Sequence, residues 1–181
     1  MAITPGTHTV GPNGSTLTVN TYREGVAAKV GHDLVIEVTK WEATVDVGPD
    51  GAPSSVTLSA DPGSLEVRSG TGGAKPLNDK DRAEIQSSIA NKVLGADQIT
   101  FTSSASRLNG SDAMHLEGEL AIAGTSRPAA FELTAGPNGA VGGTIGLNQS
   151  DYGIKPYKGM MGALNVRDDV EIVLEVQLPA S

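Results

Sequence analysis

Apolar and polar residues alternate along most of this chain. Leu17 and Val19 alternate with Thr16, Thr18 and Asn20, and Val56, Leu58 and Ala60 with Ser55, Thr57 and Ser59. Ile99, Phe101 and Ser103 oppose Gln98, Thr100 and Thr102, while Met114, Leu116, Leu120 and Ile122 oppose His115, Glu117 and Glu119. Phe131 and Leu133 oppose Glu132 and Thr134, and Val170, Ile172, Leu174 and Val176 oppose Glu171, Glu175 and Gln177. A period of two with one wet face and one apolar face predicts antiparallel strands.

The segment Leu34 to Val47 changes phase. Leu34, Ile36 and Val38 share one parity, and Trp41, Ala43, Val45 and Val47 share the other. A bulge near Thr39-Lys40 would restore the register and bend the strand, as a closing barrel requires.

Turn residues separate these runs. Gly11-Pro12-Asn13-Gly14, Gly48-Pro49-Asp50-Gly51 and Gly136-Pro137-Asn138-Gly139 are near-copies of one tetrapeptide. Proline presets φ and the Asn/Asp-Gly pair tolerates positive φ, so each predicts a hairpin. One segment departs from the period of two. In LNDKDRAEIQSSIANKVLGAD, residues Ile85, Ile89 and Val93 recur at helical spacing, Asn78 can cap the start and Gly95 can end the helix. The glycine-rich SGTGGAKP before it (69–76) lacks the spacing of a phosphate-binding loop and reads as a mobile connection.

Eight or nine strands and one helix in 181 residues fit a single domain. The expected fold is all-β: an eight-stranded antiparallel up-and-down (lipocalin-like) barrel with one α-helix, with a β-sandwich as the competitor.

Composition narrows the function classes. The chain holds two Phe, one Trp and three Tyr, so its interior must be built mainly from Val, Ile, Leu and Ala. Its net charge is −8, which argues against nucleic acid and against adsorption on an anionic membrane by charge alone. No cysteine is present, so disulfides, thiolate catalysis and Cys-based zinc sites are excluded. No run approaches the roughly 20 apolar residues of a membrane helix. The start, Met-Ala-Ile-Thr-Pro-Gly, lacks a basic and then apolar leader, and a cytoplasmic location is the expectation.

No enzyme motif emerges. His8, His32 and His115 lack metal-ligand spacing, and no G-x-S-x-G elbow occurs. His32 and Asp33 are adjacent, but neighbours on a strand point to opposite faces and cannot readily form a dyad. With the parity of Leu34 and Ile36, His32 points inward, as a core histidine or as a contact to a ligand's polar head. A second region stands out: SDYGIKPYKGMMGALNV (150–166) is a long connection holding Tyr152, Ile154, Tyr157, Met160, Met161 and Leu164. So much apolar surface predicts a lid over a barrel end or the border of an apolar pocket.

AAKVGHDLVIEVTKWEATVDV, FTSSASRL, LEGELAIAGTSRPAAFEL and SDYGIKPYKGMMGALNVRDDVEIVLEVQL, in this order, resemble the YceI family of lipocalin-like proteins, from about Thr7 to Leu178. The resemblance implies an extended barrel with a helix around an elongated apolar channel, which binds isoprenoids or other long-chain lipids non-covalently and has no agreed catalytic residue. It aligns His32 with the histidine of the family's amino-terminal strand motif. Family members are frequently periplasmic.

The expected function is a non-catalytic carrier for a long-chain apolar ligand such as an isoprenoid, an isoprenoid quinone or a fatty amide, needing no cofactor or metal. Ile36, Val38, Trp41, Phe101, Ile122 and Phe131 are expected on the channel wall. Tyr152, Met160, Met161 and Leu164 should border its mouth, with His32 at the polar head. No nucleic-acid partner and no stable membrane insertion are expected, while a homodimer stays open. The alternatives are a filled barrel acting as a structural or partner-binding module, and an enzyme for a small apolar substrate using His32 as base.

Overall fold

The structure, a computed structural model, describes residues 3–110 and 112–180. Fourteen strands are present among them: β1 (Gly6–Val10), β2 (Thr16–Thr21), β3 (Arg23–Glu24), β4 (His32–Val38), β5 (Trp41–Val47), β6 (Pro53–Ala60), β7 (Leu65–Gly72), β8 (Ile99–Asn109), β9 (Ala113–Ile122), β10 (Thr125–Ala135), β11 (Ala140–Asn148), β12 (Lys158–Gly159), β13 (Leu164–Val166) and β14 (Asp169–Gln177). Eleven form one antiparallel sheet in the order β1-β5-β6-β8-β9-β10-β11-β14-β2-β4-β7, and β12-β13-β3 form a small second sheet.

The fold is therefore all-β with one helix and a curled antiparallel sheet, but the count of eight strands does not hold. The main reason is the bend at the phase change. The run from Leu34 to Val47 is interrupted at Thr39-Lys40, between β4 and β5, and its partner is interrupted at Asp61–Ser64, between β6 and β7. β4 pairs with β7 and β5 with β6, so the four are one long ribbon folded at a corner. The two halves of the ribbon sit near opposite ends of the sheet order, and their covalent continuity draws the sheet into a curl. The short β1, laid along β5, is an additional strand.

Ser64 holds the corner. Its carbonyl accepts from the Thr39 amide at 3.0 Å and the Thr39 hydroxyl at 2.9 Å. Its own hydroxyl accepts from the Lys40 amide at 3.0 Å and donates to the Asp61 carbonyl at 2.8 Å. Ser64 is buried, and Val38, Trp41, Ala60 and Leu65 pack around the bend in one apolar cluster. The phase change read from the sequence thus keeps Val38 and Trp41 both inside.

Two of the three Gly-Pro turns make hairpins, β5–β6 and β10–β11, closed by Gly48 N–H to Ala52 O (2.8 Å) and Gly136 N–H to Ala140 O (2.7 Å). Asn138 takes φ +56°, a value that asparagine tolerates. Gly11–Gly14 does not: it joins β1 to β2, which pair with different strands. Nor is SGTGGAKP wholly a loose connection. Ser69 to Gly72 belong to β7 and pair with β4 from Val35 to His32.

The helix α1 (Asp79–Ser88) continues into a π-helical turn, Ile89–Leu94, and ends at Gly95 with φ +71°. Asn78 and Asp81 form a reciprocal capping box at its start. α1 lies along the free edge of β7. Gln86 Oε1 accepts from the Val67 amide at 3.1 Å, and Arg82 Nη1 donates to the carbonyls of Val67 and Arg68, each at 2.9 Å. Two polar side chains thus occupy backbone groups that would otherwise invite another strand.

Asp46 fastens β1 to the ribbon. Its carboxylate accepts from the hydroxyls of Ser55 and Thr7, each at 2.6 Å. These bonds, Ser55's foremost, hold its pKa below the ordinary carboxylate value. The associated stabilisation is complete above the ordinary carboxylate range and is lost as pH falls through the lowered folded-state value. Ser55→Ala should move the Asp46 titration upward in a carboxyl NMR experiment; an unmoved titration would mean that the hydroxyl is not the cause. At the corner, Ser64→Ala deprives the Lys40 amide of its acceptor. It should cost on the order of 1 kcal/mol, read as a lower urea midpoint at unchanged slope.

Candidate functional site

The curl encloses a cavity of about 1300 Å³. Twenty-odd inward residues of the main sheet line it, and the only polar ones among them are Thr21 and His32. The remaining polar lining comes from α1 and its π-helical turn, and from Arg23, Lys75, Gln149, Tyr157 and Asn165 in the connections and the small sheet. Inward residues such as Val19, Leu34, Leu58, Ile145 and Ile172 are only half-buried, because their free surface faces this space. The filled interior entertained from the sequence is not what the fold contains.

The cavity exists because the wall residues are short. Val, Ile and Leu reach only partway across, and the two phenylalanines lie together against the wall. Phe101 on β8 and Phe131 on β10 meet with ring centroids 5.0 Å apart at 49°. β9 runs between them, and its Gly118 lets them do so: a Cβ there would stand 2.8 Å from the Phe101 ring and 2.2 Å from the Thr102 carbonyl oxygen. The aromatic pair is thus seated over a glycine in the middle strand.

His32, Ile36, Val38, Phe101, Ile122, Phe131 and Leu164 all line the cavity. Four other expected site residues are placed elsewhere. Trp41 is buried in the corner cluster and does not reach the cavity surface. Tyr152 is buried in the main core, where loss of solvation raises its phenol pKa. Met160 and Met161 are exposed at the tip of the β12–β13 connection, off the wall. The expected place at the mouth holds for their connection, whose Tyr157, Leu164 and Val166 line the cavity, but not for their side chains as lining groups.

His32 and Asp33 diverge as strand geometry requires. His32 Nε2 is 2.7 Å from the Lys75 carbonyl, a contact that calls for the proton on Nε2. Asp33 turns to Arg23, accepting from its backbone amide at 2.9 Å, with the guanidinium Nε at 3.7 Å. The pair therefore forms no catalytic dyad. His115 lies on the outer face between Glu117 (3.0 Å) and Glu132 (3.1 Å). Among the described residues no cluster of three His or acidic side chains is arranged to hold a metal.

Arg23, Lys75 and Asn165 were not anticipated as lining residues. β13 pairs with β3, setting Asn165 opposite Glu24 and Val166 opposite Arg23, and this long-range pairing brings both to the end where His32 lies. Asn165 Oδ1 is buried and has no hydrogen-bond partner among the described residues. Nothing in the local sequence signals this, since a three-residue strand has no legible period. Ile85 and Ile89, read as the packing face of the helix, also line the cavity.

A curled antiparallel sheet with an apolar inner face and one helix along its open side defines a β-protein built around an internal apolar site. Residues 8–178 match the model of the YceI-like domain, and the chain belongs to that family. Among solved structures it resembles BcnA of Burkholderia cenocepacia, with TM-score 0.64 and 20% identity over 89% of this chain and 94% of that one. It also resembles a Campylobacter jejuni YceI protein that crystallizes with large solvent channels, with TM-score 0.53 and 14% identity over 81% and 84% of the two chains. At these identities the likeness concerns the fold. Comparison with curated proteins gives no match. Among the described residues no helix is long and apolar enough to cross a membrane.

The seating of the aromatic pair is testable. Gly118→Ala should force Phe101 and the Thr102 backbone to shift, at a cost of about 1–3 kcal/mol. A melting temperature equal to that of the parent would show that the wall is more pliant than its geometry implies.

Proposed function

We propose that this protein is a non-catalytic carrier that shelters a long-chain apolar ligand in the curl of its sheet. The observation that carries this reading is the cavity of about 1300 Å³ whose lining from the main sheet is apolar except for Thr21 and His32. Sites for drug-sized molecules span roughly 300–1000 Å³, so this one suits a longer occupant. Burial of an aliphatic chain contributes about 0.8 kcal/mol per CH₂, and such binding needs no cofactor and few polar contacts. The isolation of His32 from Asp33 weighs against an enzyme that would use the histidine as base.

Part of the polar lining, from β3, β4, β13 and the β7–α1 connection, lies toward one end, which gives the ligand a direction. Arg23, His32, Lys75 and Asn165 would meet its head, and the Phe101–Phe131 pair its apolar tail.

Organic extraction of gently purified protein followed by mass spectrometry tests the reading. A stoichiometric long-chain amide, isoprenoid or quinone is expected. An empty extract, together with failure to take up added long-chain lipids, would return the fold to a structural or partner-binding role. Ile145→Trp projects an indole into the cavity from β11 and should reduce uptake at least tenfold while the circular dichroism stays that of the parent. Undiminished uptake would place the ligand elsewhere.

A further inference from the structure

The residues that the cavity wall leaves out form a surface of their own. Met160 and Met161 are 62% and 108% exposed, at the tip of the β12–β13 hairpin, and Val26, on the connection from β3 to β4, is 95% exposed. These two loops are neighbours. β13 pairs with β3, the Ala27 amide donates to the Ala163 carbonyl at 2.9 Å, and a Cβ on Gly25 would stand 2.6 Å from that same oxygen. Val30 and Tyr157, also partly exposed, flank the tips.

The hairpin tip is held in an unusual backbone. Met160, Met161 and Gly162 follow one another at φ +49°, +56° and +89°. Methionine has no preference for this region, which asparagine and glycine adopt far more readily. The sequence thus places two large, flexible apolar side chains where turn stability alone favours small or polar ones, and presents both to solvent.

Charge around the patch runs against the rest of the molecule. Residues 22–33 and 154–166 carry Arg23, Lys29, Lys155 and Lys158 against the carboxylates of Glu24 and Asp33, the latter paired with Arg23, in a chain whose net charge is −8. Lys29, Lys155 and Lys158 are exposed on the same two segments as the apolar tips. Exposed apolar tips on segments that also carry exposed lysines match the interface of an anionic bilayer, where apolar side chains enter the acyl boundary and cations meet the headgroups. The same two loops reach the cavity, since Val30, Gly31, Tyr157, Leu164 and Val166 line it.

We propose that the paired tips Val26 and Met160–Met161, with Lys29, Lys155 and Lys158, form a docking surface for an anionic membrane, and that this surface sets the cavity mouth against the bilayer. Net charge read from composition does not describe a local patch, and these two segments carry three lysines, none of them paired with Glu24 or Asp33 in the ion pairs among the described residues. The proposal goes beyond the carrier reading, and a separate measurement addresses it.

Co-sedimentation with vesicles of phosphatidylcholine, with and without phosphatidylglycerol, is the experiment. The full chain should sediment with the phosphatidylglycerol vesicles and be released by high salt. The double variant Met160→Asn, Met161→Gly removes the apolar tip but supplies residues suited to positive φ, so its melting temperature should equal or exceed the parent's. Its vesicle partitioning should fall at least tenfold. Lys29→Gln with Lys158→Gln should remove the preference for phosphatidylglycerol. Absence of sedimentation by the parent protein, or equal sedimentation by the Asn-Gly variant, would overturn the proposal and leave the patch to a protein partner. Uptake of the fluorescent fatty acid cis-parinaric acid without vesicles reads the cavity alone, so failure of the carrier reading and failure of the docking surface are told apart.

Discussion

The bend held by Ser64 is the constraint from which the rest of the molecule follows. One buried serine ties Thr39, Lys40 and Asp61 together through its carbonyl and hydroxyl, and folds a long ribbon into two halves. Without the bend, β4–β7 and β5–β6 would extend as one flat edge and the sheet could not return on itself. With it, an inner face exists, and the alternation of apolar and polar residues acquires an inside and an outside. The apolar cluster around Val38, Trp41, Ala60 and Leu65 stabilises the corner from within.

The interior stays open for a reason of size. A chain with two phenylalanines and one tryptophan has little with which to fill a curled sheet of eleven strands. The tryptophan is spent on the corner, and the phenylalanines are drawn against the wall over Gly118. The remaining lining is aliphatic and short. Helix α1 does not plug the space. Its Arg82 and Gln86 are committed to the backbone edge of β7, so it caps an edge and borders the opening.

Polar chemistry is segregated from this apolar volume. Acidic and basic residues pair on the outer face, as Arg68 does with Glu37 and Glu66, and Arg107 with Glu117. Inside, polar groups come from the end where the small sheet and the β7–α1 connection meet, and from the helix that borders the space. That distribution leaves an aliphatic chamber, polar residues toward one end of it, and exposed apolar tips on the connections outside.

The sequence by itself determined the local features. Alternation marked the strands, the phase change at Thr39-Lys40 marked the bend, and Asn78 and Gly95 marked the helix, because each depends on neighbours within a few residues. The inward parity of His32, Ile36, Val38, Phe101, Ile122 and Phe131 was legible for the same reason. Tertiary structure alone decided the strand count, the separation of β1 from β2, the packing of Trp41 and Tyr152 within the core clusters off the cavity surface, and the exposure of Met160 and Met161. It also decided that Arg23 and Asn165 would meet toward one end of the cavity, since pairing across more than a hundred residues puts them there. Cavity volume belongs to this second group, because it is the difference between the curvature of a whole sheet and the reach of its side chains, and no local stretch of sequence contains both.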